Sequence, residues 1–197
     1  MHDVSQAGLV AREQREARAF RGEPLRDRTA NAGAGSCDDR VLPFEAHTLE
    51  PMYSIRPAEP ADYARVIAVV DEWWGGRQMA AMLPKLFFVH FRDTSFVAEA
   101  GGELAGFLCG FRSQTFDDEA YIHFVGVSPA HRKSGLGREL YDRFFAAVAP
   151  RSVVRAVTSP RNETSIAFHR SLGFEVDRID ENYDGAGEAR ALLVKRL

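Results

Sequence analysis

Only two of the 197 residues are cysteine, Cys37 and Cys109, and neither has the close Cys or His spacing that a zinc site or a redox pair needs. No metal is expected. No apolar run approaches the ~20 residues that span a bilayer, and the N-terminus has no apolar signal core. A reducing cytoplasm, away from membranes, is the expected setting. A dominant charge is missing as well: the net charge is −3, divided as −2 over residues 1–51 and −1 over 52–197. That balance argues against the clustered Lys and Arg surface that grips nucleic acid, and the Arg-rich tail does not revive it, being itself net negative. No internal repeat is evident.

Residues 1–51 also have little from which to build a core. Their aromatics are Phe20 and Phe44, whereas the remainder holds all five Tyr, both Trp and twelve Phe. Such composition predicts a disordered extension, with a short helix over 10–20 and a flexible linker over 31–36. The folded domain is assigned to 52–197. Met52 directly precedes the first strand, and both a start at Met52 and a regulatory arm ahead of it stay open.

Period and punctuation predict alternating elements in the domain. A strand over 53–56 leads to a helix over 60–74, with Pro60 near its start and Val66, Ile67, Val69 and Val70 on its inner side. Gly75 and Gly76 break it. A second helix is predicted over 78–90, apolar at Met79, Met82, Leu86 and Val89, with Pro84 as a kink. Strands over 95–100 and 104–112 make a hairpin about Gly101 and Gly102. Next come a strand over 121–127, a helix reaching Val148 along the apolar line Leu136, Leu140, Phe144, and a strand over 152–158. A helix over 163–172 and strands over 174–179 and 189–197 complete a mixed α/β sheet.

The most informative stretch is Arg132, Lys133, Ser134, Gly135, Leu136, Gly137, which joins a strand to a helix N-terminus. Unpaired N–H groups of the first turn, the positive end of the helix dipole and two cationic side chains would converge there on a phosphate. Such a string is common by itself, so its context carries the inference.

That context resembles the GNAT superfamily of acetyl-CoA-dependent N-acetyltransferases, with its R/Q-x-x-G-x-G/A loop after the fourth strand. The approach to the loop, Val127, Ser128, Pro129, also agrees, as does Asn162 followed by Ala167, Phe168, His169, Gly173 and Phe174, the family's second signature. The resemblance covers about 53–197 and departs at His169, where the family usually has Tyr. It implies a GNAT-like, mostly antiparallel twisted sheet with flanking helices and two central parallel strands splayed around the cofactor. Acetyl-CoA is then the co-substrate, and a homodimer the implied assembly. Carried over by position, Val125 and Val127 give main-chain contacts to the pantetheine arm and Gly126 leaves room beside it. Arg132, Lys133, Ser134, Gly135, Leu136, Gly137 and Arg138 take the pyrophosphate, while Asn162, His169 and Arg170 take the pantetheine and distal cofactor.

Period two places Tyr121, His123, Val125 and Val127 on one strand face, so His123 is the first candidate base. Serotonin-type arylalkylamine acetyltransferases are similar in placing His on this strand. Glu119, acting through water, is the second candidate, and a purely structural His123 stays open. At His169 an imidazolium that protonates the leaving thiolate and a simple packing role are both open. Trp73, Trp74 and Arg77, between the first two helices, are candidates to roof the acceptor pocket, with Tyr121 beside them. Core packing of the indoles is the competing explanation. Asp117, Asp118 and Glu119 could draw a protonated amine or form a solvated turn, and the turn at 184–188 could close the pocket.

These features predict acetyl transfer from acetyl-CoA to a primary amine of a small molecule, by direct attack in a ternary complex. A protein N-terminus or lysine is the alternative acceptor. A non-catalytic acyl-CoA-binding module that acts on a partner through the tail is the alternative class.

Overall fold

The computed structural model describes residues 52–197. The expectations for the tail, including the short helix and Cys37, lie outside the described residues. Strand β1 (Ser54–Pro57) leads to helix α1 (Asp62–Trp73). The Asp62 carboxylate accepts the Glu59 N–H at 2.8 Å and pairs with Arg56 at 2.7 Å, which fixes the first turn. Gly75 and Gly76, with φ of +72° and +83°, end the helix, and the Gly76 N–H returns to the Asp71 carbonyl.

The helix expected over 78–90 is absent. In its place stand two single 3-10 turns, Ala80–Met82 and Lys85–Phe88, and a third, Arg92–Thr94, follows. Pro84 has no N–H to donate and holds Leu83 in an extended conformation. The Met79 and Ala80 N–H groups are taken by Asp71 Oδ1, at 2.7 and 2.8 Å. Apolar spacing alone had suggested a helix where the backbone cannot continue one.

The remaining elements follow the expected order with ends moved by a residue or two. They are β2 (Phe96–Ala100), β3 (Glu103–Arg112), β4 (Glu119–Val127), α2 (Leu136–Val148), β5 (Val153–Thr158), α3 (Glu163–Ser171), β6 (Glu175–Asp180) and β7 (Arg190–Arg196). Seven strands form one sheet in the order β1-β2-β3-β4-β5-β7-β6, antiparallel throughout except for β4 against β5. One core layer sets α2 and Phe174 against Leu108, Ala120 and Ile122. The other sets α1 and the 3-10 turns against Val97, Phe107 and Phe124. None of the described helices is long and apolar enough to cross a membrane.

Two irregularities in β4 create the site. Its pairing with β5 runs from Glu119 to Ile122, opposite Val153 to Ala156, and then stops although both strands continue. The sheet forks there. In addition, Cys109 opposes Phe124 while its neighbour Gly110 opposes Ile122, so His123 is an extra, bulged residue.

Candidate active site at the fork of the sheet

The bulge reverses which side chains share a face. Below it, Tyr121 packs against Phe111 at 5.5 Å and His123 stacks on Phe87 at 4.7 Å, on the α1 side. Above it, Phe124 takes the α1 side, while Val125 and Val127 pack into the layer containing α2. The expected common face of Tyr121, His123, Val125 and Val127 is therefore corrected, because one inserted residue shifts a period-two pattern by half a period. Backbone direction changes as well. The Ser113 N–H bonds the Glu119 carbonyl below the bulge, and the Ser128 N–H bonds the Ala105 carbonyl above it. By alternation, Phe124 and Gly126 turn their peptide groups toward β3, and Val125 and Val127 turn theirs to the open side of the fork.

At the top of the fork, Lys133 (φ +63°) and Gly135 (φ +95°) curl the loop into α2. Among the described residues, the N–H groups of Lys133, Ser134, Gly135 and Gly137 have no protein acceptor. The Leu136 N–H is held by Ser134 Oγ at 3.3 Å. Free N–H groups at the positive end of a 13-residue helix form a concave anion cradle. These residues fit a diphosphate.

Several side chains assigned to the cofactor have other work in the structure. Arg132 donates through Nη2 to the Trp73 carbonyl at 2.5 Å and through Nε to the Val127 carbonyl at 3.3 Å. It thus ties the loop to the end of α1. Arg138 reaches the Ser171 carbonyl at 2.9 Å, joining α2 to the last turn of α3. Asn162 caps α3, its Oδ1 accepting the Ser165 N–H at 3.1 Å, which leaves the amide nitrogen free to donate. Lys133 and Arg170 have no acidic partner among the described residues. Gly126 is required by packing on the α1 side: a Cβ there would stand 2.5 Å from Phe107 Cε1 and 2.8 Å from Trp74 Cη2. The room left by its missing side chain is filled by those aromatic rings.

The protonation of His169 follows from its partners. Its Nδ1 lies 2.8 Å from the Ser165 carbonyl, which can only accept, so Nδ1 carries the proton. Nε2 then accepts the Tyr141 hydroxyl at 2.8 Å. Burial pushes the imidazole below its usual value, partly opposed by the Ser165 carbonyl, and pushes the Tyr141 phenol up. Both ring nitrogens are engaged, and burial disfavours the charged form. That arrangement favours the packing role over the imidazolium donor.

His123 is arranged differently. Its Nε2 lies 2.8 Å from the Met82 carbonyl, again an acceptor only, so Nε2 carries a proton and, in the neutral ring, Nδ1 is the accepting nitrogen. Nδ1 has no partner among the described residues. Trp73 is buried, stacked on Phe107 at 6.1 Å, and belongs to the core. Trp74 is half-buried against Phe124 at 5.0 Å, and exposed Arg77 bonds the Trp74 carbonyl at 3.2 Å.

Below the fork, a cavity of about 210 Å³ is lined by residues that include Phe116, Glu119, Tyr121, Arg155, Val157 and Tyr183. Glu119 Oε1 accepts from both Nε and Nη2 of Arg155 at 2.9 Å, and Asp177 receives Nη1 at 3.3 Å. Burial raises the Tyr121 phenol, with Tyr183 and Asp184 adding to the effect. Tyr141, Arg155, Phe116 and Tyr183 were not singled out from the sequence. An Arg inside the apolar strand VVRAVT and a Tyr within the apolar line of α2 were the available signals.

A forked α/β sheet thus carries a cradle of free N–H groups above the fork and a lined cavity below it. The chain belongs to the acetyltransferase (GNAT) family, whose model matches residues 50–174. It is 37% identical over 84 residues to the L-2,4-diaminobutyric acid acetyltransferase of Nocardia farcinica, covering 42% of this chain and 44% of that protein. Over 93 residues it is 34% identical to the 5-NmdU N-acetyltransferase of Pseudomonas phage PaMx11, covering 47% and 64%. The matched segments thus span about half the length of these curated relatives. Among solved structures, diaminobutyrate acetyltransferase EctA from Paenibacillus lautus, in complex with its substrate and coenzyme A, superposes with a TM-score of 0.57 at 19% identity, over 73% of this chain and 94% of that one. Salmonella typhimurium yncA with acetyl-CoA gives 0.56 at 23%, over 74% and 94%. These structures share the fold.

Proposed function

We propose that the chain is an N-acetyltransferase that moves an acetyl group from acetyl-CoA to the primary amine of a small molecule, with both held together and direct attack by the amine. The observation that carries this reading is the end of β4–β5 pairing at Ile122 and Ala156. It leaves an open peptide edge running from the anion cradle to the mouth of the cavity. The names of the curated relatives, which include acetyltransferases of diaminobutyric acid, support a small amine acceptor.

Acetyl-CoA supplies a reactive thioester when bound. The cradle N–H groups, with Lys133, would hold the diphosphate, Asn162 and Arg170 the pantetheine and distal cofactor, and Val125 and Val127 would pair with the arm. An N–H near Val127 receives charge as it develops on the carbonyl oxygen. His123 Nδ1 takes the proton from the incoming ammonium, directly or through one water; the amine nitrogen would then bond the acetyl carbon as the C–S bond breaks, and the released thiolate would take its proton from solvent. Glu119, tied by Oε1 to Arg155, offers Oε2 to the amine. Positioning and carbonyl polarisation supply most of the rate.

Calorimetric titration of acetyl-CoA into the full chain, followed by thiol release over a panel of amines and peptides, tests the reading. Binding with release to a small amine supports it. Release only with peptides shifts the acceptor to protein amines. Binding without any release points to the acyl-CoA-binding module, and no binding overturns the reading.

A further inference from the structure

The cavity below the fork asks more of its occupant than one amine. Glu119, Tyr121 and His123 follow one another on the α1 side of β4. Phe111 lies 5.5 Å from Tyr121 and 6.4 Å from Phe87, which stacks on His123, so an aromatic wall runs from His123 into the cavity. Inside, both bonds from Arg155 fall on Glu119 Oε1, and Oε2 has no partner among the described residues. Arg155 is already shared between Glu119 and Asp177, so the three groups carry a net charge of −1. A carboxylate entering here would meet a guanidinium that two carboxylates occupy. An ammonium would meet a free carboxylate oxygen, a negative field and the rings of Phe116, Tyr121 and Tyr183.

We infer that the acceptor is a compact diamine, with its reacting amine at His123 and its second ammonium on Glu119 Oε2 between the aromatic walls. This rests on the transferase reading above. Four residues along a strand cover about 13 Å. Subtracting a hydrogen bond of about 3 Å at each end leaves about 7 Å between the two nitrogens, the reach of a five-carbon spacer. The cavity volume of about 210 Å³ falls below the ~300–1,000 Å³ of sites for drug-sized ligands, in keeping with a compact occupant. The exposed Phe116 on the β3–β4 connection and Tyr183 on the β6–β7 connection form its outer wall.

Calorimetric titration of 1,5-diaminopentane, 1-aminopentane and 5-aminopentanoate into the full-length protein with coenzyme A present, paired with thiol release from acetyl-CoA for each amine, tests the assignment. The diamine is expected to bind about tenfold more tightly than the monoamine, as one charge-assisted hydrogen bond provides, with the aminopentanoate weakest. Glu119→Gln should bring diamine and monoamine to similar affinities. Phe116→Ala, on an exposed wall and independent of the core, should weaken the diamine about threefold. Equal affinity for diamine and monoamine, or tightest binding of the aminopentanoate, overturns the diamine assignment, and thiol release with those amines would leave the transferase reading standing. Selective diamine binding without thiol release keeps the site and overturns the transferase reading. Neither binding nor release with all three amines overturns both.

Discussion

Replacing Tyr141 by phenylalanine removes one hydroxyl from the middle of the core and leaves the ring in place. Tyr141 is 1% exposed and His169 8%, so no solvent reaches the vacated position freely. The Nε2 of His169 loses its donor at 2.8 Å, while Nδ1 stays committed to the Ser165 carbonyl. A buried acceptor left without a partner costs about 1–3 kcal/mol. At the middle of that range, Tyr141→Phe lowers stability by about 2 kcal/mol, or about 4–8 °C in Tm for a chain of this size. The assay is urea unfolding followed by the fluorescence of Trp73 and Trp74. His169→Leu orphans the Tyr141 hydroxyl and should cost a similar amount. The double variant removes both halves of the pair, so its loss should fall short of the sum of the single losses by about 1 kcal/mol or more. A loss below about 0.5 kcal/mol for Tyr141→Phe, or strict additivity in the cycle, would refute the closed Tyr141–His169–Ser165 chain and reopen His169 as a proton donor.

The same pair predicts a pH dependence. Burial holds His169 below its ordinary value, so its contribution is complete above the unfolded value of about 6.5 and is lost as pH falls below it, where the unfolded chain takes up a proton that the native state refuses; equal slopes of the urea midpoint between pH 8 and 5 for the native chain and His169→Leu would contradict this. Gly126→Ala forces a Cβ to within 2.5 Å of Phe107 and should cost about 1–3 kcal/mol in thermal unfolding, with a matching fall in acetyl transfer; an unchanged Tm rejects the packing role. Gly135→Val places a β-branched residue at φ +95° in open space, a strain of about 1–3 kcal/mol, so calorimetry should show weaker acetyl-CoA binding by a chain that still folds. Unaltered affinity would remove the loop as the phosphate site. His123→Ala should lower kcat about a hundredfold; unchanged kinetics would pass the role to Glu119.

The strand, loop and helix from Glu119 to Val148 were legible in the sequence, because period two, a glycine-bearing loop and an apolar line at helical spacing follow one another without conflict. So was the Asn162 to Phe174 signature, which forms α3 and the approach to β6. Three features were hidden, each for a physical reason. The bulge at His123 leaves no mark on composition, since an extra residue in a strand is visible only against the partner strand. The segment 78–90 carries helical apolar spacing, but Pro84 and the Asp71 side chain settle its backbone otherwise. The uses of Arg132 and Arg138 as ties to distant carbonyls cannot be seen in a motif, because the motif names the loop and not the elements folded against it. The partnership of Tyr141 with His169 joins positions 28 residues apart and depends on two helices meeting.

The inserted residue at His123 behaves like a phase slip in a wave. Below it the strand shows odd-numbered side chains to the α1 side and even-numbered peptide groups to β5; above it both assignments are exchanged. One continuous strand therefore serves two half-sites whose sequence constraints are uncoupled. Glu119 and Tyr121 can change with the occupant of the cavity, while Val125 and Val127 keep their peptide edge toward the fork. Deleting that single residue would bring the two halves back into one period, with Val125 and Val127 still turned to the fork but without the extra residue that bends β4 at Ile122.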